Sequence, residues 1–174
     1  MRTFIALDLP EDFADETAAL ARALRDHVEG RFMKPESYHL TLAFLGDIDE
    51  RDLQLAIAAT EAACNDTAPI RLSCSGLGTF GRKNDATLWM GLAEAPELMA
   101  LASRIREQLD VRGIAFDKKG FKPHITLARR ARLSRTALPA LPFPHDDEAL
   151  RVTVYKSELT PEGARYKPLH TVTM

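Results

Sequence analysis

The stretch SYHLTLAFLG, residues 37–46, combines a run of apolar side chains with a histidine and a threonine two positions apart. In an extended strand alternate side chains share a face, so His39 and Thr41 point the same way. Leu40 and Leu42 then point to the opposite face, where they can join a hydrophobic core. The stretch therefore predicts a half-buried strand that presents an imidazole and a hydroxyl together.

The same pattern occurs a second time in KPHITLARR, residues 122–130, where His124 and Thr126 repeat the spacing. Each copy follows a Lys-Pro pair, and the two histidines are 85 positions apart (124 − 39). A segment with helical periodicity precedes each copy. This repetition predicts two similar lobes that face each other across a cleft.

The rest of the chain alternates between helical and extended hydrophobic periodicity. We predict strands at 2–9, 38–45, 70–80, 86–93, 121–128, 150–159 and 166–174, helices after Pro10 and at 50–64 and 96–109, and an irregular Pro-rich connection at 138–148. Several consecutive strands are hairpin neighbours, which favours an α+β fold with largely antiparallel sheets over a doubly wound parallel sheet. Residues 1–174 are expected to form one domain of two closely packed lobes.

Composition excludes several classes of protein. The chain has 174 residues, 45% of them hydrophobic, and its apolar stretches fall short of the roughly 20 residues of a membrane span. The N-terminus lacks the long apolar region of a secretory signal, so a cytoplasmic location is expected. Cys64 and Cys74 form no CxxC pair, which argues against a disulfide framework or a thiolate zinc site. Because the net charge is -2, any contact with nucleic acid should be local.

Two imidazoles and two hydroxyls that converge on one cleft are suited to phosphate chemistry. One imidazole can act as a general base and the other, protonated, as a general acid, because histidine titrates near neutrality. The hydroxyls of Thr41 and Thr126 can donate to phosphate oxygens, and Arg129 can add a bidentate contact. The two motifs are equivalent in sequence, so this reasoning leaves open which histidine is the acid.

Residues beside the motifs are candidate substrate contacts, because aromatic rings stack on bases and cations pair with phosphates. The first candidates are Tyr38, Phe121 and Lys122. Further candidates are Phe80, Trp89, Arg31, Lys34, Arg82, Lys83, Lys118 and Lys119. For every candidate in both groups, ordinary packing or solvated charge is the preferred interpretation. The remaining histidines lack a companion pattern and are expected to be structural or exposed: His27, His145 and His170.

The paired HLTL and HITL motifs resemble those of the 2H phosphoesterase superfamily. The segments at 4–10, 121–129, 154–159 and 166–174 are similar to its RNA 2',3'-cyclic phosphodiesterase branch, also called the bacterial 2'-5' RNA ligase family. This resemblance implies a bilobal fold with pseudo-two-fold symmetry, a central cleft and helices on the outside. It also implies hydrolysis of terminal 2',3'-cyclic phosphates to 2'-phosphates without metal or cofactor, and it leaves reversible 2'-5' RNA ligation open as a further reaction of the same site.

The resemblance also implies roles for the motif residues. His39 would donate a proton to the leaving 3'-oxygen, and His124 would be the base that activates water. Thr41, Thr126 and Arg129 would hold the phosphate. The expected partners are single-stranded RNA ends or nucleotide cyclic phosphates, bound by a monomeric protein that does not associate with membranes.

Three other interpretations are compatible with part of the pattern. A zinc hydrolase would need a third protein ligand and usually a carboxylate base, and neither occurs at a recognised spacing. A non-catalytic nucleotide-binding module would keep the pocket, but the presence of both histidines disfavours it. A phosphodiesterase acting on a small nucleotide, such as an ADP-ribose cyclic phosphate, would use the same chemistry and is not distinguished by the sequence.

Overall fold

The computed structural model describes residues 1–133 and 137–174. Its elements in chain order are β1 (Arg2–Asp8), α1 (Glu11–Arg25), β2 (Glu29–Phe32), β3 (His39–Asp47), α2 (Glu50–Cys64), β4 (Ile70–Leu72), β5 (Cys74–Arg82), β6 (Asp85–Leu92), α3 (Pro96–Val111), β7 (His124–Arg132), β8 (Asp147–Ala149), β9 (Arg151–Thr160) and β10 (Gly163–Thr173). A short 3-10 turn, Pro35–Ser37, precedes β3. In the described part of the chain, no helix is both long and apolar enough to cross a bilayer.

Two four-stranded sheets form the framework of the described residues. One has the strand order β10-β9-β1-β3 and the other β2-β7-β6-β5, while β4 pairs with β8 in a separate ladder. The strand pairs are antiparallel. β3 of the first sheet contacts β7 of the second, so the two histidine strands meet between the sheets. The prediction of an α+β fold with largely antiparallel sheets is confirmed.

The helices begin where the sequence places favourable first-turn residues. Glu11 follows Pro10 at the start of α1, where a negative charge interacts well with the helix dipole. At the start of α2 the Asp49 side chain accepts a hydrogen bond from the Asp52 backbone N–H at 2.8 Å. Pro96 occupies the first turn of α3, where its missing N–H costs nothing. Each helix buries one apolar stripe, and α2 packs on α3.

A β-bulge occurs at the same position of both histidine strands. On β3, Thr41 lies opposite Ala6 and Ala43 opposite Ile5, so Leu42 is the extra residue. Because of this bulge, Leu42 and Ala43 are both buried, although adjacent strand residues normally alternate between faces.

On β7, Thr126 lies opposite Trp89 and Ala128 opposite Leu88, which makes Leu127 the extra residue. Leu127 and Ala128 are both fully buried. The bulge therefore returns Arg129 to the face that carries His124 and Thr126. Simple alternation from His124 would have turned the Arg129 side chain toward the core.

Several element boundaries differ from the sequence prediction. The short strand β2 was missed, because its residues EGRF carry no apolar alternation and it pairs only at the edge of β7. The predicted strand 70–80 is divided at Ser73 into β4 and β5, which belong to different sheets. The connection at 138–148 is irregular as predicted, except that β8 begins at its end. β7 begins at His124 itself, three residues later than predicted, and extends to Arg132.

Candidate active site

The His39 ring is held by hydrogen bonds on both of its nitrogens. Nδ1 lies 2.8 Å from the backbone carbonyl of Ser37, and Nε2 lies 3.0 Å from Oγ1 of Thr41. Since a carbonyl can only accept, Nδ1 carries the proton and Nε2 of the neutral ring accepts a hydrogen bond from the Thr41 hydroxyl. The side chain therefore presents Nε2 as its reactive atom.

His124 is oriented in the same way on the second sheet. Its Nδ1 donates to the backbone carbonyl of Lys122 at 2.6 Å. In both strands the acceptor is the carbonyl two residues before the histidine, so the ring tautomer is fixed by the same local geometry. Thr126 is half-buried on the face that carries His124. The two motifs thus repeat in structure as they do in sequence.

Aromatic side chains pack around both imidazoles. The His39 ring lies with its centroid 4.7 Å from that of Phe4 and 5.0 Å from that of Tyr166. The His124 ring lies 5.1 Å from Phe80 and 5.8 Å from Trp89, again between centroids. On the His39 side this packing contributes to the burial of the imidazole, whereas Phe80 beside His124 is itself 42% exposed.

Burial lowers the pKa of His39 to about 4. The hydrogen bond to the Ser37 carbonyl and the negative charge of Asp8 act in the opposite direction, while Arg129 and His124 lower the pKa further through their positive charges. The ring is therefore neutral at pH 7 in the empty site. A proton donor at this position needs a bound anion to stabilise its charged form.

Asp8 is a member of the site that the sequence did not reveal. It lies directly opposite His39 on the neighbouring strand β1, so the two side chains share a face. Its carboxylate accepts hydrogen bonds from the hydroxyls of Tyr155 at 2.5 Å and Thr153 at 2.6 Å. The signal was present only in the pairing register of β1 with β3, which cannot be read from either segment alone.

His39, Thr41 and Arg129 line one cavity of about 1100 Å³ between the sheets. Its lining is rich in cations: Arg2, Arg31, Lys34, Arg129, Arg130 and Arg165. The acidic residues in the lining are Glu36 and Glu162. Although the chain as a whole has a net charge of -2, the lining of this cavity carries six cations against two carboxylates.

The three candidate substrate contacts have different surroundings. Tyr38 is only 8% exposed and packs in the core, because it is adjacent to His39 in sequence and points to the opposite face. Tyr38 is therefore a core residue, as ordinary packing predicts, and the alternative stacking role does not fit this position. Phe121 is half-buried against the core, with the Arg106 guanidinium 5.8 Å from its ring centroid. Lys122 is exposed, and its Nζ lies 4.9 Å from the Trp89 ring centroid, beside a second cavity of about 440 Å³.

Two of the remaining histidines contact carboxylates away from the motifs. His145 lies 2.7 Å from Glu16, and His170 lies 2.9 Å from Glu61. In the described ranges, 1–133 and 137–174, no three His, Cys, Asp or Glu side chains converge in a geometry that could hold a metal ion.

Known proteins resemble this chain over nearly its whole length. An RNA 2',3'-cyclic phosphodiesterase of Thermotoga maritima is 31% identical over 176 residues, with 98% of this chain and 94% of the relative covered. A protein of the same name from Escherichia coli is 29% identical, with 97% and 93% covered.

Solved structures show the same architecture. E. coli LigT complexed with 3'-AMP superposes with a TM-score of 0.83 at 26% identity, over 99% of this chain and 97% of that one. A Thermus thermophilus protein superposes with a TM-score of 0.84 at 28% identity, with the same coverage. Residues 9–161 match the family model of the 2'-5' RNA ligase superfamily. Because that match spans most of the chain and the T. maritima relative aligns almost end to end, the chain belongs to the 2'-5' RNA ligase superfamily.

Proposed function

We propose that this protein hydrolyses RNA-terminal 2',3'-cyclic phosphates to 2'-phosphates by acid–base chemistry of His39 and His124. The observation that carries the proposal is the equivalent orientation of the two rings. Each donates Nδ1–H to a backbone carbonyl, which leaves Nε2 available for proton transfer. The names of the relatives support the same reaction.

In the proposed reaction, Nε2 of neutral His124 takes a proton from water as the water oxygen attacks phosphorus. Protonated His39 gives its Nε2 proton to the 3'-oxygen as the bond from phosphorus to that oxygen breaks. The phosphate stays on the 2'-oxygen, and exchange with solvent returns both imidazoles to their starting states. The hydroxyls of Thr41 and Thr126 donate to the non-bridging oxygens, and the phosphate anion supports the proton on His39.

The first test uses an oligonucleotide that ends in a 2',3'-cyclic phosphate, incubated in excess EDTA. We expect a 2'-phosphate product at an undiminished rate, because the proposed proton transfers use imidazoles alone. The position of the phosphate is read by NMR or by sensitivity to a 3'-specific phosphatase. Loss of activity that zinc restores would contradict the metal-independent mechanism, and a 3'-phosphate product would contradict the direction of ring opening.

The second test concerns Arg129. The equivalent position in the first motif is not a cation, so Arg129 has no counterpart that could replace its contact with the phosphate. The equivalent position on β3 is Phe44, and the Arg2 guanidinium lies 4.9 Å from the Phe44 ring centroid. Only one motif therefore supplies its own arginine to the phosphate.

We expect Arg129→Ala to lower kcat/KM by roughly 10- to 100-fold, the loss of about 1.5–3 kcal/mol for a hydrogen bond to a charged group. The fold should be unaffected, because the Arg129 side chain is exposed. Arg51→Ala on the exposed surface of α2 removes the same charge and is the matched control. Equal kinetics of the two variants would remove Arg129 from the site.

A cyclic phosphodiesterase for small nucleotides is the second candidate. E. coli LigT structures complexed with 3'-AMP and with NADP+ support nucleotide binding in this family. The cavity of about 1100 Å³ is nevertheless slightly larger than the usual small-molecule site, which has a volume of about 300–1,000 Å³. This volume favours a ligand longer than a mononucleotide. We also propose that the protein acts as a cytoplasmic monomer, and the free thiols of Cys64 and Cys74 fit a reducing compartment.

A further inference from the structure

Three arginines on the neighbouring strands β2 and β7 lie together in the lining of the cavity. Arg31 on β2 and Arg129 on β7 are direct cross-strand partners, so their side chains share a face. Arg130 follows Arg129, and all three line the cavity. Like charges directly opposite one another destabilise a strand pair. Their arrangement therefore indicates a function that outweighs this repulsion.

No described carboxylate neutralises this cluster. Within residues 1–133 and 137–174, the ion pairs that form at 4 Å or less involve other cations. Glu36 and Glu162 also line the cavity but lie beyond that distance from the three guanidinium groups. An anionic ligand would relieve the repulsion between the arginines.

The backbone at the cluster adopts an unusual conformation. Arg130 has a φ of +49°, in the left-handed region that costs a residue with a side chain roughly 1–2 kcal/mol. A second bulge in the pairing of β2 with β7 produces this conformation, and bulges of this kind re-aim side chains near functional sites. Residues held in such sparsely populated conformations cluster at active sites and ligand-binding sites.

The Arg31 guanidinium lies close to the opposite sheet. Gly163, at the start of β10, approaches so closely that a Cβ there would lie 2.8 Å from Nη2 of Arg31. Gly163 has a φ of +119°, which favours glycine for a separate reason. Glycine at this position thus leaves room for the Arg31 guanidinium between β2 and the hairpin of β9 and β10.

The position of Arg31 relative to Arg129 suggests a second anion. Neighbouring strands are about 5 Å apart, so the backbone of Arg31 lies one strand spacing from that of Arg129, and both side chains line the cavity. We propose that Arg31, together with Arg130, forms a second phosphate subsite for the phosphodiester on the 5' side of the terminal nucleotide. The subsite makes the protein select oligonucleotide ends over mononucleotides. This inference rests on the proposed function, because it takes the terminal phosphate to lie between the two histidines.

The test compares three substrates: a nucleoside 2',3'-cyclic phosphate, a trinucleotide with the same terminal group, and that trinucleotide with an uncharged methylphosphonate at its last internucleotide linkage. We expect Arg31→Gln to lower kcat/KM for the normal trinucleotide by about tenfold, and by less than twofold for the mononucleotide, which carries no second phosphate. The methylphosphonate should lower the wild-type rate by a similar factor, with little further loss in Arg31→Gln. Arg51→Gln on α2 is the matched control, and thermal unfolding verifies that each variant is folded.

Binding of a trinucleotide 3'-phosphate and its methylphosphonate analogue, measured by fluorescence anisotropy at several salt concentrations, separates this inference from the proposed function. The subsite predicts that the wild type binds the analogue more weakly than the normal trinucleotide, and that Arg31→Gln shows no such difference. It also predicts that the affinity of Arg31→Gln for the normal trinucleotide depends less steeply on salt than that of the wild type, by about one ionic contact. If no cyclic phosphate is hydrolysed but this difference in binding persists, the proposed function fails and the subsite stands. If Arg31→Gln affects both trinucleotides equally, or neither, the subsite is wrong.

Discussion

Replacement of His39 or His124 by alanine should lower turnover of a 2',3'-cyclic-phosphate-ended oligonucleotide by on the order of 10²–10⁴, the usual contribution of a positioned acid or base. Each ring donates Nδ1–H to a backbone carbonyl, and both side chains are only partly buried, so either replacement should leave the fold intact. The loss should therefore appear in the rate of the chemical step. Single-turnover kinetics with saturating enzyme measures that step directly.

The double variant provides the stricter comparison. Because the two imidazoles act in one concerted step, it should lose much less than the product of the two single losses. His39→Asn and His124→Asn are useful companions that preserve polarity without the basic nitrogen. Near-normal turnover in either single variant, or inactivity explained by loss of a cooperative thermal transition, would refute the paired-histidine mechanism.

The wild-type rate should follow a bell-shaped pH profile. One limb requires a neutral imidazole and the other a protonated one, and each limb reports a macroscopic ionisation of the coupled pair. Arg129 and His124 both act electrostatically on His39, so neither limb belongs to a single residue. A profile with one limb would show that only one histidine titrates during catalysis.

The second large effect concerns stability. As the pH falls from 6.5 toward 4, the unfolding free energy of the wild type should fall relative to that of His39→Gln. The difference in unfolding free energy should change by at most about 1.4 kcal/mol per pH unit. The partial exposure of the ring reduces the change below this limit. The direction follows from the lowered pKa of His39, about 4 in the folded protein against 6.5 as the ordinary value. The unfolded chain takes up the proton first, so this stability is complete above pH 6.5 and is lost as the pH falls toward 4.

Urea unfolding of both proteins across this pH range measures the difference, and NMR titration of the His39 ring measures its pKa directly. Asp8→Asn should lower that pKa further, because the Asp8 charge acts to raise it. Bound 3'-phosphorylated nucleotide should raise it, as the proton-donor role requires. A His39 midpoint that stays near 6.5 in the empty protein would contradict the burial on which this prediction depends.

Sequence reasoning was most successful where the chain repeats itself. The spacing of His39 and Thr41 determines that they share a face of a strand, and the second copy at His124 argues against a chance occurrence. The same alternation also places Tyr38 on the core side, so the alternative stacking role conflicted with the pattern that identified its neighbour. Attention to the pleat would have excluded that role.

The sequence by itself determined the fold class, the two histidine strands and the phosphate-directed character of the site, because local periodicity decides which side chains share a face. Only the tertiary structure decided the position of Arg129, which depends on a bulge, and the contribution of Asp8 to the charge around His39. It also brought Arg31 beside Arg129, although the two are far apart in the chain. These relations arise from strand register and from the approach of separate sheets, and no local pattern of residues encodes either of them.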